Sequence, residues 1–184
     1  MSPHLPVAPP RHLPVVVLGL MGAGKTSLAR TLAARWSRPL SDSDADIESA
    51  TGASAAELVL ASGADALHDL ETAHLLGALA TRPPAVVSAA ASVVDRSDCL
   101  QALQHAYVVW LDLAPEALAR RFSTGAHRPR YGPDPAVVLH HQRERRRDAF
   151  TSVADLTIRD DTLPIARLAD HVETALLEGV FPAC

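Results

Sequence analysis

The feature that most constrains the fold is a glycine-rich octapeptide directly after a short apolar run. Residues 15–18 are all Val or Leu, which is typical of a strand buried on both faces of a sheet. The octapeptide Gly19–Thr26 reads Gly-Leu-Met-Gly-Ala-Gly-Lys-Thr and fits the pattern G-x-x-x-x-G-K-[ST] in full. A helix is predicted over residues 25–36, ending before Pro39. This strand–loop–helix unit predicts an α/β fold.

The residue types of the octapeptide predict a phosphate-binding loop. Glycines let the backbone turn its N–H groups toward an anion, and the helix that follows adds the positive end of its dipole. Lys25 reaches the outer phosphates as a point charge, and the Thr26 hydroxyl can ligate Mg²⁺. Lys25 is also the only lysine among 17 basic residues, and arginine does not replace a compact charge. We therefore expect a nucleoside triphosphate to be bound by Gly22, Ala23, Gly24, Lys25, Thr26 and Ser27.

The rest of the chain alternates short apolar runs with longer helical stretches. Further strands are predicted to begin at residues 40, 85, 107 and 154. Helices are predicted at a capping box formed by Ser54 and Glu57, over residues 65–79, from Pro115, over 136–150 and over 164–177. This alternation predicts a five-stranded parallel sheet covered on both faces by helices. We expect one domain over residues 14–184, preceded by a disordered proline-rich tail over 1–13.

Composition narrows the possible partners. A chain of 184 residues suits one domain, and its net charge of −4 disfavours a nucleic-acid partner. Two cysteines cannot form a disulfide framework, which fits a reducing cytosol. No apolar run approaches the length of a membrane span. We expect a cytoplasmic monomer or weak dimer that acts on a small molecule, without a membrane or nucleic-acid partner.

An acidic pair follows the predicted second strand. Asp42 and Asp44 stand where that strand ends, and this edge of an open α/β sheet faces the ligand crevice. One carboxylate could hold a metal ion while the other accepts a proton from an attacking hydroxyl. The alternative is a polar helix cap, since residues 41–44 are all good N-cap residues. The pair alone leaves both interpretations open.

Taken together, these motifs resemble those of the shikimate kinase family over nearly all of residues 14–180. The resemblance implies a P-loop NTPase fold of three layers, α/β/α, with substrate-binding helices at about 44–80 and a lid at about 124–135. The residues that carry it are Gly19–Thr26, Pro39–Asp44, Ile47-Glu48, Thr51–Glu57, Leu67–Glu71, Arg128-Pro129 and Val153–Leu156.

The resemblance also implies roles for individual residues. Asp42 matches the aspartate associated with Mg²⁺, and Asp44 matches the one that orients and deprotonates the substrate hydroxyl. Arg128 matches the lid arginine that neutralises the transferring phosphoryl group. Arg121 matches an arginine that stacks on adenine, and Pro164 sits where a proline borders that base.

The chain departs from the family in the pocket that holds the substrate carboxylate. The family uses two arginines and a triglycine turn there; we expect His68 and His140 at the arginine positions and Ala90-Ala91-Ser92 in place of the triglycine. Each charge-assisted hydrogen bond lost costs roughly 1.5–3 kcal/mol, so two losses weaken carboxylate binding by roughly 10²- to 10⁴-fold. Glycine turns often use positive φ, which penalises alanine. Alternatively, both histidines only pack or face solvent.

The expected function is therefore an ATP- and Mg²⁺-dependent kinase that phosphorylates a hydroxyl of a small metabolite, with an altered acceptor. A first alternative is a true shikimate kinase whose carboxylate site is rebuilt with the help of Arg143. A second is a non-catalytic ATP-binding module, which Asp44 and Arg128 disfavour because ATP binding alone requires neither. A nucleoside kinase is disfavoured because aromatic residues, which would stack on a second base, make up only 4% of the chain.

Overall fold

The computed structural model describes residues 9–10, 12–123 and 134–178. Arg128 and nearly all of the expected lid lie outside these ranges, so their placement stays a prediction.

The described ranges contain five strands and eight α-helices. The strands are β1 (Val15–Gly19), β2 (Leu40–Asp42), β3 (Val86–Ser88), β4 (Tyr107–Leu111) and β5 (Leu156–Ile158). The helices are α1 (Lys25–Trp36), α2 (Ser43–Thr51), α3 (Ala55–Ser62), α4 (Ala64–Leu79), α5 (Ser97–Leu103), α6 (Pro115–Ser123), α7 (Pro135–Val153) and α8 (Ile165–Leu177). A 3-10 helix spans Ala91–Asp95. The helix predicted over residues 25–36 and the capping box of Ser54 and Glu57 are confirmed.

All five strands are parallel, in the order β2-β3-β1-β4-β5. The five-stranded parallel sheet expected from the sequence is therefore confirmed. The carboxyl ends of the strands share one edge, so the loop after β1 and the turn after β2 begin on the same side of the sheet. In open α/β sheets this is the side on which ligands bind.

The core lies around the central strand β1, whose five residues are all buried. Two contacts show how helices attach to the sheet and to each other. Trp110 of β4 stacks on Phe150 of α7 with ring centroids 5.2 Å apart. Arg35 of α1 pairs with Asp170 and Glu173 of α8 at 2.9 and 3.0 Å. No helix in the described ranges is both long and apolar enough to cross a membrane.

Part of the segment expected to be a disordered tail is tied to the domain. The guanidinium of Arg38 donates hydrogen bonds to the carbonyl oxygens of Leu13, Pro9 and Pro10 at 2.6, 3.0 and 2.8 Å. Pro9 is also buried. Arg38 thus satisfies three backbone acceptors of this segment, and the disordered tail over 1–13 stays a prediction.

Gly19 permits a close approach between β1 and β4. Its φ is +149°, and a Cβ built there would lie 2.8 Å from the Leu111 carbonyl oxygen and 3.2 Å from the Ala23 Cβ. Because Leu111 belongs to the neighbouring strand, its carbonyl cannot move aside without breaking the sheet ladder.

We expect Gly19→Ala to lower the free energy of unfolding by about 3 kcal/mol, since overpacking and backbone strain add. Gly52→Ala is the matched control: φ is +72° there, but nothing lies within 4 Å of the added Cβ, so strain alone should cost about 1 kcal/mol. Urea unfolding of both variants measures the difference. Equal losses would contradict the steric argument.

Candidate active site

The phosphate-binding loop turns through two glycines with positive φ, Gly22 at +83° and Gly24 at +96°. Gly24 is the N-cap of α1 and has no side chain to occupy the helix N-terminus. Ala23, within the loop, is buried, and the Lys25 ammonium donates a hydrogen bond to the Leu20 carbonyl oxygen at 3.4 Å. The loop thus presents the first turn of α1, with its free N–H groups, on the ligand side of the sheet.

Thr26, Ser88 and Asp42 meet at the carboxyl ends of three neighbouring strands. The Thr26 hydroxyl oxygen lies 3.4 Å from that of Ser88, and Ser88 pairs in register with Asp42 on β2. Asp42 is 6% exposed; its Oδ1 accepts the Ala45 N–H at 3.3 Å as the N-cap of α2. Its Oδ2 is buried without a hydrogen-bond partner in the described part of the chain. One carboxylate therefore both caps a helix and leaves a second oxygen available.

Asp44 is exposed in the first turn of α2, two residues beyond Asp42. The positive end of the helix dipole favours a carboxylate at this position. The charge of Asp44 contributes to raising the pKa of Glu71, which places Asp44 within electrostatic range of α4. Asp42 and Asp44 therefore stand on one turn between the phosphate-binding loop and α4.

The buried side chain of Glu71 connects this turn to further elements. Glu71 of α4 is 8% exposed and accepts a short hydrogen bond from the Ser92 hydroxyl, in the 3-10 helix after β3. Burial raises the pKa of Glu71, and the charge of Asp44 adds to this, while Ser92, His68 and Arg146 act in the opposite direction. Ser92 contacts Glu71 directly, and the charges of Asp44, His68 and Arg146 act on its pKa. We call these five residues the Glu71 cluster.

The arginine of this cluster already has a carboxylate partner. Arg146 of α7 is 6% exposed, and its Nε and Nη2 donate to Asp95 at distances of 2.6–3.1 Å. The pKa of Asp95 is lowered even though burial alone would raise it, because Arg146 and then Arg145 favour the carboxylate form. The Nη1 atom of Arg146 makes no hydrogen bond to any described residue, so one edge of the guanidinium is available.

Helix α7 contributes Arg146 to the Glu71 cluster, whereas its His140 does not belong to the cluster. His140 is exposed, and its ring lies edge-on to that of His141 with centroids 6.1 Å apart. The reason is helix geometry: six residues turn an α-helix through about 600°, which leaves His140 roughly 120° around the helix from Arg146. The structure therefore does not place His140 beside Glu71, and its contact with the acceptor stays a prediction.

The segment at the triglycine position is not strained. Ala90 has φ −64° and ψ 150°, and Ala91 opens the 3-10 helix that contains Ser92. None of the three has positive φ, so the backbone penalty expected for alanine there is absent. The change adds three Cβ atoms and one hydroxyl, and that hydroxyl bonds to Glu71.

Arg143 is paired with Asp112, outside the Glu71 cluster. Its Nε and Nη2 donate to the two carboxylate oxygens of Asp112 at 2.7 and 3.0 Å, and Arg159 donates to the same carboxylate at 3.0 Å. The Asp112 side chain is only 1% exposed, so this pairing is largely shielded from water. Rebuilding a carboxylate site with Arg143 would require it to leave this buried acid without its bidentate partner.

The residues expected near the adenine lie together beside the phosphate-binding loop. Arg121 of α6 donates to the carbonyl oxygens of Ala23 at 3.5 Å and of Asp161 at 2.6 Å. Pro164 is the exposed N-cap of α8, and the next residue, Ile165, lies 3.7 Å from a Cβ built on Gly24. Arg121 and Pro164 therefore both lie beside the phosphate-binding loop.

Sequence reasoning missed three members of this site. Ser88, Asp95 and Arg146 were not proposed as functional, and Glu71 was quoted only as part of a motif. A helical-wheel analysis of α7 would have separated Arg146 from His140, since Leu139, Arg146 and Phe150 all face inward. The pairing of Arg146 with Asp95 has no sequence signal, because the two residues belong to different elements.

Comparison with known proteins identifies the family. The family model described as "Shikimate kinase" matches residues 21–177 of this chain. The chain belongs to the shikimate kinase family. It is 33% identical over 168 residues to the shikimate kinase of Symbiobacterium thermophilum, covering 89% of this chain and 96% of that protein. It is 37% identical over 153 residues to that of Chromohalobacter salexigens, covering 81% and 84%.

Solved structures agree with the family. Shikimate kinase from Acinetobacter baumannii, in complex with shikimate, superimposes with a TM-score of 0.84 at 27% identity, covering 92% of this chain and 96% of that one. A gluconokinase from Sinorhizobium meliloti shares the fold, with a TM-score of 0.58 at 21% identity over 92% and 94% of the two chains. The chain is an ATP-dependent small-molecule kinase that transfers phosphate to a hydroxyl group.

Proposed function

We propose that this member of the shikimate kinase family phosphorylates a hydroxyl of a small polyol other than shikimate. The observation that carries the proposal is the charge of the Glu71 cluster. Its single arginine is already paired with Asp95, and the cluster also contains the carboxyl groups of Asp44 and Glu71. Such a pocket offers hydrogen bonds for hydroxyls, but little net positive charge for a carboxylate.

Within this proposal, the residues around the phosphate-binding loop supply the transfer. Loop N–H groups and Lys25 hold the phosphates, and Arg121 and Pro164 border the base. Asp44, exposed at the start of α2, accepts the proton of the acceptor hydroxyl as it attacks the terminal phosphorus. The transfer also needs charge neutralisation, for which Arg128, outside the described residues, stays the predicted group.

The residues beside Thr26 fit a magnesium ion. Asp42 has one buried carboxylate oxygen without a partner in the described ranges, and the Thr26 and Ser88 hydroxyls meet next to it in the sheet. Oxygen ligands of this kind, few in number and completed by water and phosphate, are those that Mg²⁺ prefers. Asp42 and Thr26 would hold the ion, which when bound neutralises charge on the outer phosphates.

Shikimate itself is the second candidate acceptor. Two observations favour it: the Nη1 edge of Arg146, which bonds to none of the described residues, and the shikimate bound to the Acinetobacter baumannii relative. Under this alternative one arginine edge and His68 would have to hold the carboxylate. We therefore expect weaker binding of shikimate than two free arginines would give.

The acceptor is tested by ADP release in the presence of Mg²⁺. A panel of neutral polyols, sugars and cyclitol acids, including shikimate, is assayed by enzyme coupling and ranked by kcat/KM. We expect a neutral polyol to exceed shikimate by at least tenfold. Shikimate turnover with kcat/KM above about 10⁴ M⁻¹s⁻¹ and no better acceptor would establish the second candidate.

A substitution in the pocket gives a second test of which acceptor is used. We expect His68→Arg to raise kcat/KM for shikimate by about 10- to 100-fold, because a guanidinium adds a charge-assisted hydrogen bond worth roughly 1.5–3 kcal/mol. His105→Arg, an identical change at an exposed residue after α5, is the control and should have no effect. Equal responses of the two variants would place His68 outside the acceptor pocket.

A further inference from the structure

A polar cluster behind the Asp42–Asp44 turn takes no part in the chemistry described above. It consists of Ser41 in β2, Asp46 in α2 and His74 in α4; we call it the Ser41–Asp46–His74 cluster. One oxygen, Asp46 Oδ2, accepts the Ser41 hydroxyl at 2.9 Å and the Asp42 backbone N–H at 3.1 Å. His74 Nε2 lies 2.8 Å from the same oxygen and 3.0 Å from Ser41 Oγ. A single carboxylate oxygen thus joins a strand and two helices.

The bond to Asp42 determines how that residue can be oriented. Asp46 holds the backbone N–H of Asp42, while the N–H of Ala45 holds its Oδ1. With both of these groups engaged, the remaining polar atom of the side chain is the buried, unpartnered Oδ2. Without Asp46, the backbone N–H at the start of α2 would lose its acceptor, and the N-cap residue could rotate.

The His74 contact connects this turn to the acceptor pocket. His74 lies on α4, one turn beyond Glu71 and two beyond His68, and its side chain is only 12% exposed. Its contact with Asp46 is a polar link between α2, which carries Asp44, and the helix that carries two members of the Glu71 cluster. This contact is therefore one of those that hold α2, with Asp44, against α4.

We propose that Asp46 and His74 are positioning residues that hold the Asp42–Asp44 turn against α4 in the geometry needed for transfer. The proposal rests on the proposed function, since it assumes the roles given there to Asp42 and Asp44. Neither residue contacts the nucleotide or the acceptor in this scheme. Their loss should therefore lower turnover while leaving ATP affinity unchanged.

Four variants test the role. Asp46→Ala removes the shared acceptor, and His74→Phe removes the donor while filling its volume. His74→Gln keeps an N–H donor near the position of Nε2 and is the conservative rescue. Glu48→Gln is the matched control, because it removes a carboxylate from an exposed side chain two residues further along α2.

For the best acceptor in the panel, we expect Asp46→Ala and His74→Phe each to lower kcat by about 30- to 100-fold, since a displacement near 1 Å can cost 10²-fold. The double variant should be no worse than the worse single one, because both act through one contact. His74→Gln should stay within about fivefold of the parent. The Kd of a non-hydrolysable ATP analogue, measured by calorimetry, should change less than twofold in all variants.

A second readout needs no acceptor. Hydrogen exchange of the peptide spanning residues 40–51 should be at least tenfold faster in Asp46→Ala and unchanged in Glu48→Gln. Unchanged exchange there, or unchanged kcat with only a lower melting temperature, would overturn the positioning role. If the parent phosphorylates no acceptor at all, the proposed function fails, and the exchange measurement alone still decides whether Asp46 holds the turn.

Discussion

Asp44→Asn is expected to lower kcat by about 10³-fold while leaving the affinity for ATP within twofold of the parent. The substitution keeps size and hydrogen-bonding capacity but removes the group that accepts the proton, and general-base catalysis contributes roughly 10²- to 10⁴-fold. Asp44 is exposed at the start of α2, so its replacement should not disturb the core. Steady-state ADP release and calorimetry with a non-hydrolysable analogue measure the two quantities.

Asp69→Asn is the control for this prediction. Asp69, on α4, is also an exposed aspartate, and it forms a surface salt bridge with Arg96 at 3.0 Å. Surface pairs contribute little, so kcat should stay within twofold of the parent. If Asp44→Asn retained a tenth or more of parental turnover, Asp44 would not be the base.

The second large effect is expected for Lys25→Met. Methionine matches the length of the lysine stem but carries no charge, so the outer phosphates lose their point charge in a site shaped by backbone N–H groups. We expect ATP affinity to fall by about 10- to 100-fold, from the loss of a charge-assisted hydrogen bond. Turnover should fall by about 10³-fold, since the same charge stabilises the transferring group.

Two further variants test whether the effect is specific to a lysine at this position. Lys25→Arg keeps the charge but replaces a compact ammonium by a planar guanidinium, and it should restore less than a tenth of parental turnover. Arg30→Met removes a positive charge from an exposed position on the same helix and should leave both quantities unchanged. Parental ATP affinity in Lys25→Met would contradict the assignment of this loop as the phosphate site.

The contrast between Arg146 and His140 shows what counting along the sequence does not determine. Counting along α7 put His140 at an arginine position of the pocket, whereas the structure brings Arg146 to the Glu71 cluster. Counting fails there because a side chain's direction depends on the phase of the helix, which changes by 100° per residue. This affects the functional argument, because the Glu71 cluster contains one arginine, Arg146.

The acidic turn differs from this case, because the sequence had already singled out Asp42. Two interpretations of Asp42 were open, a helix cap or a functional carboxylate, and the structure supports the first while leaving room for the second. One oxygen of Asp42 caps α2, and the other is buried without a partner in the described ranges. A helix cap can be predicted from the local sequence. Whether the second carboxylate oxygen is buried without a partner depends on how the neighbouring strands pack around it.

Local chemistry was therefore enough to predict the phosphate-binding loop, the parallel sheet and the helix that begins at Lys25. These features follow from glycine φ values, apolar periodicity and capping, which act between residues close in sequence. Only the tertiary structure decided which charges meet in the pocket and which are already paired, as with Arg146 and Asp95 or Arg143 and Asp112. Those pairings join residues far apart in the chain, and their geometry depends on how whole helices pack against the sheet.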